Sequence, residues 1–345
     1  MTSKIFFACA AGILALLVLP FVAFNFLNDD FGLFWSDAPR RIWLQEKTSK
    51  YLMSYRYIPR NFDGLLIGPS YSDGSMDTRR LQGYRIYNLS MEGANATELK
   101  AATVNAIERG QMRVLIICLG PYITKNAGIK GNEINEKEYL GSLFSLLPLK
   151  LAETKFEDRR QPAHDMWAGS EWGSADLPRQ TYSWDAFIRL AQSEPVESEI
   201  QINATAYRDL AAIIRAAHQH DVQIFAYYFP YNVWAVQTAV ESGDWSRYQT
   251  RTNALFDLKR DVVWDMNAPD YDSLRQDVSC YSDGHLSKSG ISLVLADIQR
   301  RLDENRLHRS LTSVFPRSEH LPCLGTLGAG SGFDRNSKLA DAGTH

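Results

Sequence analysis

Hydrophobic and polar positions divide the chain into three regimes. From Ile5 to Leu27 there is no charged residue, and a run of that length is long enough to cross a bilayer as a helix. From Asp30 to Phe62 the pattern turns aromatic and basic (Phe34, Trp35, Arg40, Arg41, Trp43, Tyr51, Tyr55, Tyr57). Beyond Asp63, short apolar runs alternate with helical stripes. Gly64–Ile67 is an apolar run closed by Gly68-Pro69, and Tyr84–Leu89 is a second strand candidate. Asn95-Ala96-Thr97-Glu98 has the spacing of a capping box. Leu99, Ala102, Ala106 and Ile107 then share one helix face, and Gly110 stops the helix. Val114–Leu119 is continuously apolar, as expected of a strand buried on both faces. A further helix after Asn203 carries Tyr207, Leu210, Ile214 and Ala217 on one stripe. Val222–Phe229 and Val262–Met266 predict two more strands, and Ile291, Val294, Leu295, Ile298 and Leu302 predict a closing helix. Strand and helix in alternation imply a mostly parallel sheet with helices on both faces.

Two stretches break this rhythm. Residues 122–202 separate a strand from its expected helix and hold a charged run, Gly and Ser, and Trp167, Trp172 and Trp184. Structureless loops of that length are uncommon in compact domains, so helices are expected inside it. It reads either as a lid or acceptor-binding insert or as a plain surface insertion. Near the C-terminus periodicity fades, and Gly325–His345 has the composition of a disordered tail. The expected organisation is an anchor over 1–28, a juxtamembrane segment over 29–62, an α/β domain over 63–305 with the insert, and a disordered tail over 306–345. Pro39–Tyr55 reads as a helix leading onto the domain, and the aromatics of 29–62 suit either a membrane surface or packing against the domain.

Composition narrows the functional classes. With 37 Lys and Arg against 40 Asp and Glu, the net charge of −3 gives no electrostatic case for nucleic acid. Four cysteines lack CxxC spacing, which removes the usual zinc and thioredoxin readings, and no metal or cofactor is expected. Lys4 before the apolar run and Asn28-Asp29-Asp30 after it favour a cytoplasmic N-terminus with the bulk outside. A cleaved signal peptide is the rival reading, but the run is long for one and no Ala-x-Ala site precedes the acidic pair. Outside the cytoplasm a disulfide is permitted, as Cys118–Cys280 or Cys280–Cys323.

The candidate chemistry lies in two distant segments, Leu66-Ile67-Gly68-Pro69-Ser70 and Ser282-Asp283-Gly284-His285-Leu286-Ser287. A serine nucleophile needs a base, and the base an orienting acid. Ligands of an open parallel sheet bind beyond the carboxyl ends of its strands. Ser70 follows the first strand, Gly93 the second and His285 the last, so three loops converge on one edge. This order fits acyl transfer with Ser70 as nucleophile, His285 as base and Asp283 as orienting acid, the Ser70 and Gly93 amides receiving the oxyanion. Asn95 is a further oxyanion candidate, though its capping position gives it a structural task. Ser72 is the rival nucleophile. His218 and His220 end a helix, where the helix dipole suits them, and their spacing does not make a metal site.

These segments resemble the SGNH (GDSL-type) hydrolase superfamily. Gly68-Pro69-Ser70 stands where that family has Gly-Asp-Ser. Asn88-Leu89-Ser90-Met91-Glu92-Gly93-Ala94 resembles its second block, and Asp283-Gly284-His285-Leu286-Ser287 with Gly290 its last. The resemblance covers about residues 63–303 without the insert. It implies a three-layer αβα, flavodoxin-like domain with a five-stranded parallel sheet ordered 2-1-3-4-5. The chain departs from the family at Pro69, at Gly120-Pro121-Tyr122 in place of Gly-x-Asn-Asp, and in the single residue between Asp283 and His285. Together with the N-terminal run and Asp30-Phe31-Gly32, it is similar to membrane-anchored bacterial members that modify cell-surface polysaccharides. That likeness implies a single-pass protein of the inner (cytoplasmic) membrane with its domain facing the periplasm or exterior. It implies a serine esterase or O-acyltransferase acting on a cell-surface or exported glycan, with a membrane-bound O-acyltransferase as a partner. The departures leave a second reading open, a non-catalytic relative serving as a glycan-binding or assembly module.

Overall fold

Every strand expected from an apolar run is a strand, and all of them run the same way. The computed structural model describes residues 3–74, 76–126, 134–160, 170–174, 184–193, 196, 200, 202–282 and 284–314. The chain begins with α1 (Ser3–Asn28), α2 (Glu46–Met53) and α3 (Tyr57–Asn61). The core then alternates: β1 (Gly64–Ile67), α4 (Ser70–Asp73), β2 (Ile86–Asn88), α5 (Ala96–Arg109), β3 (Val114–Leu119). The insert contributes α6 (Pro121–Thr124), α7 (Lys137–Gly141), α8 (Leu147–Arg160) and α9 (Trp184–Ser193). The core resumes with α10 (Ala204–Gln219), β4 (Gln223–Tyr228), α11 (Val233–Glu241), α12 (Asp244–Asn253), β5 (Val262–Asp265) and α13 (Asp272–Gln276). A hairpin of β6 (Tyr281–Ser282) and β7 (His285–Leu286) leads into α14 (Lys288–Val314).

The sheet order is β2-β1-β3-β4-β5, with every pairing parallel. Central β1, β3 and β4 are buried along their whole length, which is why they read as unbroken apolar runs. α5 and α10 cover one face, burying Leu99, Ala102, Ala106 and Ile107 from one and Leu210, Ile213, Ile214 and Ala217 from the other. α14 lies over the opposite face, beside the segment between β1 and β2. There Arg80 donates to Ser292 Oγ (2.9 Å) and the Gln82 N–H to Gln299 Oε1 (2.6 Å). The three-layer expectation and its strand order therefore hold.

The segment after α1 packs against the domain. All eight residues of α2 are buried, and Lys47 pairs with Glu98 of α5. α1 enters the domain through a fixed turn. The Asp29 carboxylate accepts hydrogen bonds from the N–H groups of Leu33, Phe34, Trp35 and Ser36 at 2.7–3.2 Å. Helices do occupy the insert, and residues 170–174 cap the free edge of β2, where the Asn88 N–H donates to the Trp172 carbonyl (2.8 Å). Gly173 has φ +86°, and a Cβ there would lie 2.2 Å from the Asn88 carbonyl, so only glycine permits this approach. At the other end α14 continues to Val314, past the expected start of a disordered tail at 306. The helix stays unbroken because no Gly or Pro interrupts it between Ile291 and Val314. Residues 315–345 lie outside the described residues.

Candidate active site

β1, β2 and β3 end together at one edge of the sheet, and their loops carry the candidate groups. Ser70 opens α4 directly after Gly68-Pro69. Gly68 is required there: a Cβ would come within 2.3 Å of Ser72 Oγ and 2.7 Å of the Cys118 Cβ. The loop after β2 is stitched to the end of β1. The Leu89 N–H donates to the Leu66 carbonyl (2.7 Å) and the Met91 N–H to the Gly68 carbonyl (3.0 Å). Gly93 follows with φ +58°, the left-handed conformation glycine adopts without cost. Among the described residues, neither the Ser70 N–H nor the Gly93 N–H donates to a protein acceptor.

His285 reaches this edge from the far end of the chain. The β6–β7 hairpin pairs Ser282 with His285 and turns at Gly284, φ +70°. It sets His285 Nε2 2.9 Å from Ser70 Oγ, across 215 residues of sequence. That is hydrogen-bond contact between a hydroxyl and an imidazole, the geometry a general base needs. Both residues are half-buried. Asp283 lies outside the described residues. Tyr71 flanks the pair, its ring 5.4 Å from that of His285 and stacked on Phe229 at 4.4 Å. Tyr231 meets Tyr71 edge-on at 5.5 Å, and its hydroxyl stands where a Cβ of Gly120 would be, 2.6 Å away. The position at which Gly-x-Asn-Asp was sought is thus roofed by aromatic rings.

The other sequence candidates take other places or tasks. Asn95 caps α5: its Oδ1 accepts from the Thr97 and Glu98 N–H groups, and its Nδ2 donates to the Lys125 carbonyl (2.9 Å). This takes it out of the oxyanion set, because a complete capping box with Glu98 uses its carbonyl and orients its amide. Ser72 is fully buried, with Oγ 2.8 Å from Ser90 Oγ, which excludes it as a nucleophile. Cys118 and Cys280 are both free and buried, so the Cys118–Cys280 disulfide is not made. Burial pushes the Cys118 thiol up to about 12, leaving it an unreactive core residue. Cys323 lies outside the described residues. His218 pairs with Asp261 at 2.9 Å. Asp261 precedes β5, so this second histidine pair sits at the opposite edge of the sheet.

Beneath Ser70 lies a cluster that sequence reasoning missed. Lys50 Nζ, fully buried, donates to Glu46 Oε1 (2.7 Å), to Asp73 Oδ1 (2.9 Å) and to the Ser90 carbonyl. Glu46 Oε2 accepts from the Glu92 N–H at 3.0 Å. Glu46 and Asp73 are also hydrogen-bonded to each other. The cluster therefore grips both the last residue of the nucleophile's helix and the loop that ends in Gly93. Burial, reinforced by the Glu46 charge, holds the Asp73 carboxyl well above the usual carboxylate range. Burial also acts to raise Glu46, but the Lys50 ammonium and the hydrogen bonds from Asp73, Lys50 and the Glu92 N–H outweigh it, leaving Glu46 lowered. Burial acts to lower Lys50, and the two carboxyls outweigh it. Lys50 is thus held between two carboxyl groups, and every charge in the cluster has a partner. Asn88 completes the frame, its Nδ2 donating to the Ser72 carbonyl (2.7 Å) and the Met76 carbonyl (3.2 Å). The only available sequence signal was Asp73 itself, three residues after Ser70.

No family model matches the chain, and no curated protein matches it. One solved structure is similar in shape, described as "a putative platelet activating factor from Streptococcus pneumonia". It has 12% identity and a TM-score of 0.39, covering 85% of this chain and 99% of that one. A likeness of that size assigns no chemistry to this chain.

Proposed function

We propose that this protein is a membrane-anchored serine esterase or O-acyltransferase that works through an acyl-serine on a cell-surface or exported glycan. The observation that carries the reading is the 2.9 Å contact between Ser70 Oγ and His285 Nε2 at the carboxyl edge of a parallel sheet. Ser70 Oγ attacks the ester carbonyl carbon while its proton passes to His285 Nε2. The charge on the carbonyl oxygen is received by the Ser70 and Gly93 N–H groups. The C–O bond then breaks, and the leaving alcohol takes the proton from His285. A second hydroxyl, of water or of a sugar, gives its proton to His285, attacks the acyl-serine and regenerates Ser70. Water as acceptor gives an esterase and a glycan hydroxyl a transferase. Tyr71 packs beside the pair on the buried rings of Phe229 and Tyr231, an apolar setting that suits an acyl group or the face of a sugar ring.

α1 is long and apolar enough to span a membrane and its surface is exposed. Its last turn and the Asp29 turn are built into the domain, which supports a retained helix over a cleaved signal sequence. We read the folded domain as lying on the periplasmic or outer side, with a membrane-bound O-acyltransferase as the acyl donor's source. The test is labelling of the full chain with a fluorophosphonate, which reacts with an activated serine. Wild type should label and Ser70→Ala should not. Equal labelling of the two would remove Ser70 as nucleophile, and an unlabelled wild type would turn the reading toward a glycan-binding module.

A further inference from the structure

We infer that the loop and helix pair spanning residues 137–156 forms a second membrane contact, an apolar face that lies in the lipid interface beside the end of α1. This rests on the reading of α1 as a retained membrane helix. Large apolar side chains stand exposed in two groups among the described residues outside isolated positions. One is α1 itself. The other is Leu140, Phe144, Leu146, Leu149 and Phe156, with Leu140 at 85% and Phe144 and Leu146 at 63% exposure. The remainder, such as Val240, Leu258 and Leu293, are scattered singly along the chain, which is ordinary for a protein surface. A cluster of this kind marks an interaction surface.

The occupant follows from what holds the cluster in place. Asn25, in the last turn of α1, is buried, and its Nδ2 donates to the carbonyls of Leu143 (2.8 Å) and Ser145 (3.1 Å). Lys155 of α8 pairs with Asp30 just past the helix end. The exposed cluster is therefore fixed at the level where α1 leaves its apolar stretch. An uncharged run from Ile5 to Leu27 spans about 35 Å at 1.5 Å per residue, against about 30 Å of hydrocarbon. Its last turn, and the loop tied to it, then fall at the interface. α8 is two-faced in the same sense. Leu147 and Leu151 point inward, while Leu149 and Phe156 face out one heptad apart. Exposed Glu153 lies between them on that outer face with Lys150 and Lys155 to its sides, a mixture of apolar and charged groups that suits the headgroup level rather than the hydrocarbon. Trp35, exposed and donating its Nε1–H to the Phe26 carbonyl (2.8 Å), stands at the same level, where tryptophan is favoured. The apolar surface of the cluster continues that of α1, so the bilayer that covers one covers the other.

The test uses the full chain in nanodiscs of phosphatidylcholine and phosphatidylglycerol carrying a spin-labelled lipid as quencher, labelled near the headgroup for the loop positions and at mid-chain for position 16. Cys9 is replaced by Ala and Cys323 by Ser, and bimane is placed on single cysteines at 140, 144 or 146. Position 16 in α1 reports on the anchor, and position 258 serves as an exposed control. We expect emission at 144 and 146 to fall by roughly half or more relative to position 258, as for side chains buried in the headgroup boundary. Quenching at 16 with none at 140, 144 and 146 would overturn this inference while leaving the anchor, and would give the face to a protein partner. No quenching at 16 would remove the anchor and the inference with it.

Discussion

α4 is four residues long, and its two ends belong to opposite kinds of polar chemistry. At one end Ser70 meets His285 in a half-buried pair. At the other, Asp73 is sealed with Lys50 and Glu46 in a cluster from which solvent is excluded. In the buried cluster every donor and acceptor is answered by a fixed partner, so it holds its neighbours in one geometry. The Ser70–His285 pair is partly exposed and has no such enclosure. The comparison teaches that the geometry of this sheet edge is set from underneath. The helix of Ser70 and the Gly93 loop share one set of charged supports.

The largest effect expected on the open side comes from His285→Ala. It should lower turnover of a chromogenic acetyl ester by about 10²–10⁴-fold, the range for loss of a general base, while leaving thermal unfolding of the domain near wild type. A variant with unchanged turnover would break the comparison, because the pair would then be no more than a surface contact. On the closed side, Lys50→Met leaves two carboxyls in a dry site. Removing one partner of a buried ionic cluster costs about 3–5 kcal/mol, measurable by denaturant unfolding. If the variant keeps its stability but loses fluorophosphonate labelling, the cluster positions Ser70 without stabilising the fold, which sharpens the division.

The smallest and most specific effect is on pH dependence. The folded-state pKa of Asp73 lies above its unfolded value. Its contribution to stability is therefore complete below the ordinary carboxylate range and is lost as pH rises through the raised value. Asp73→Asn is neutral at every pH and can still donate to Glu46 and accept from Lys50. Relative to this variant, wild type should lose stability progressively as pH climbs from the ordinary carboxylate range through the raised one. Parallel stability curves would mean that Asp73 is ionised in the folded protein and that the cluster does not share a proton.

The same contrast explains what could be read from the sequence. β1, β3 and β4 declare themselves because a strand buried on both faces has only one class of side chain. The capping box at Asn95 and Glu98 is local in sequence and was legible for that reason. Ser70 and His285 could be paired because the topology of a parallel sheet brings their loops to one edge. α2 was not legible. Glu46-Lys47-Thr48-Ser49-Lys50 is a polar string, and lysines are expected at the surface. Lys47 and Lys50 are buried because Glu98, Asp73 and the Ser90 carbonyl, distant in sequence, join the local partner Glu46 around them. His218 is a similar case, its partner Asp261 lying 43 residues on. Of the two permitted disulfides, Cys118–Cys280 is not made, because cysteine counting carries no distance.

The long separation of Ser70 from His285 sets an order of events during synthesis. Glu46, Lys50, Asp73, Ser90 and Glu92 all lie within the first hundred residues, and the strands they brace, β1 to β3, are complete by Leu119. Domains and their parts form as the chain emerges, N-terminal portions first. The nucleophile's support is therefore available early, beside a helix already suited to a membrane. Its base arrives only after another 215 residues. A growing chain thus carries a braced but unarmed serine, and a chain truncated anywhere before the hairpin stays unarmed however well its N-terminal half has folded.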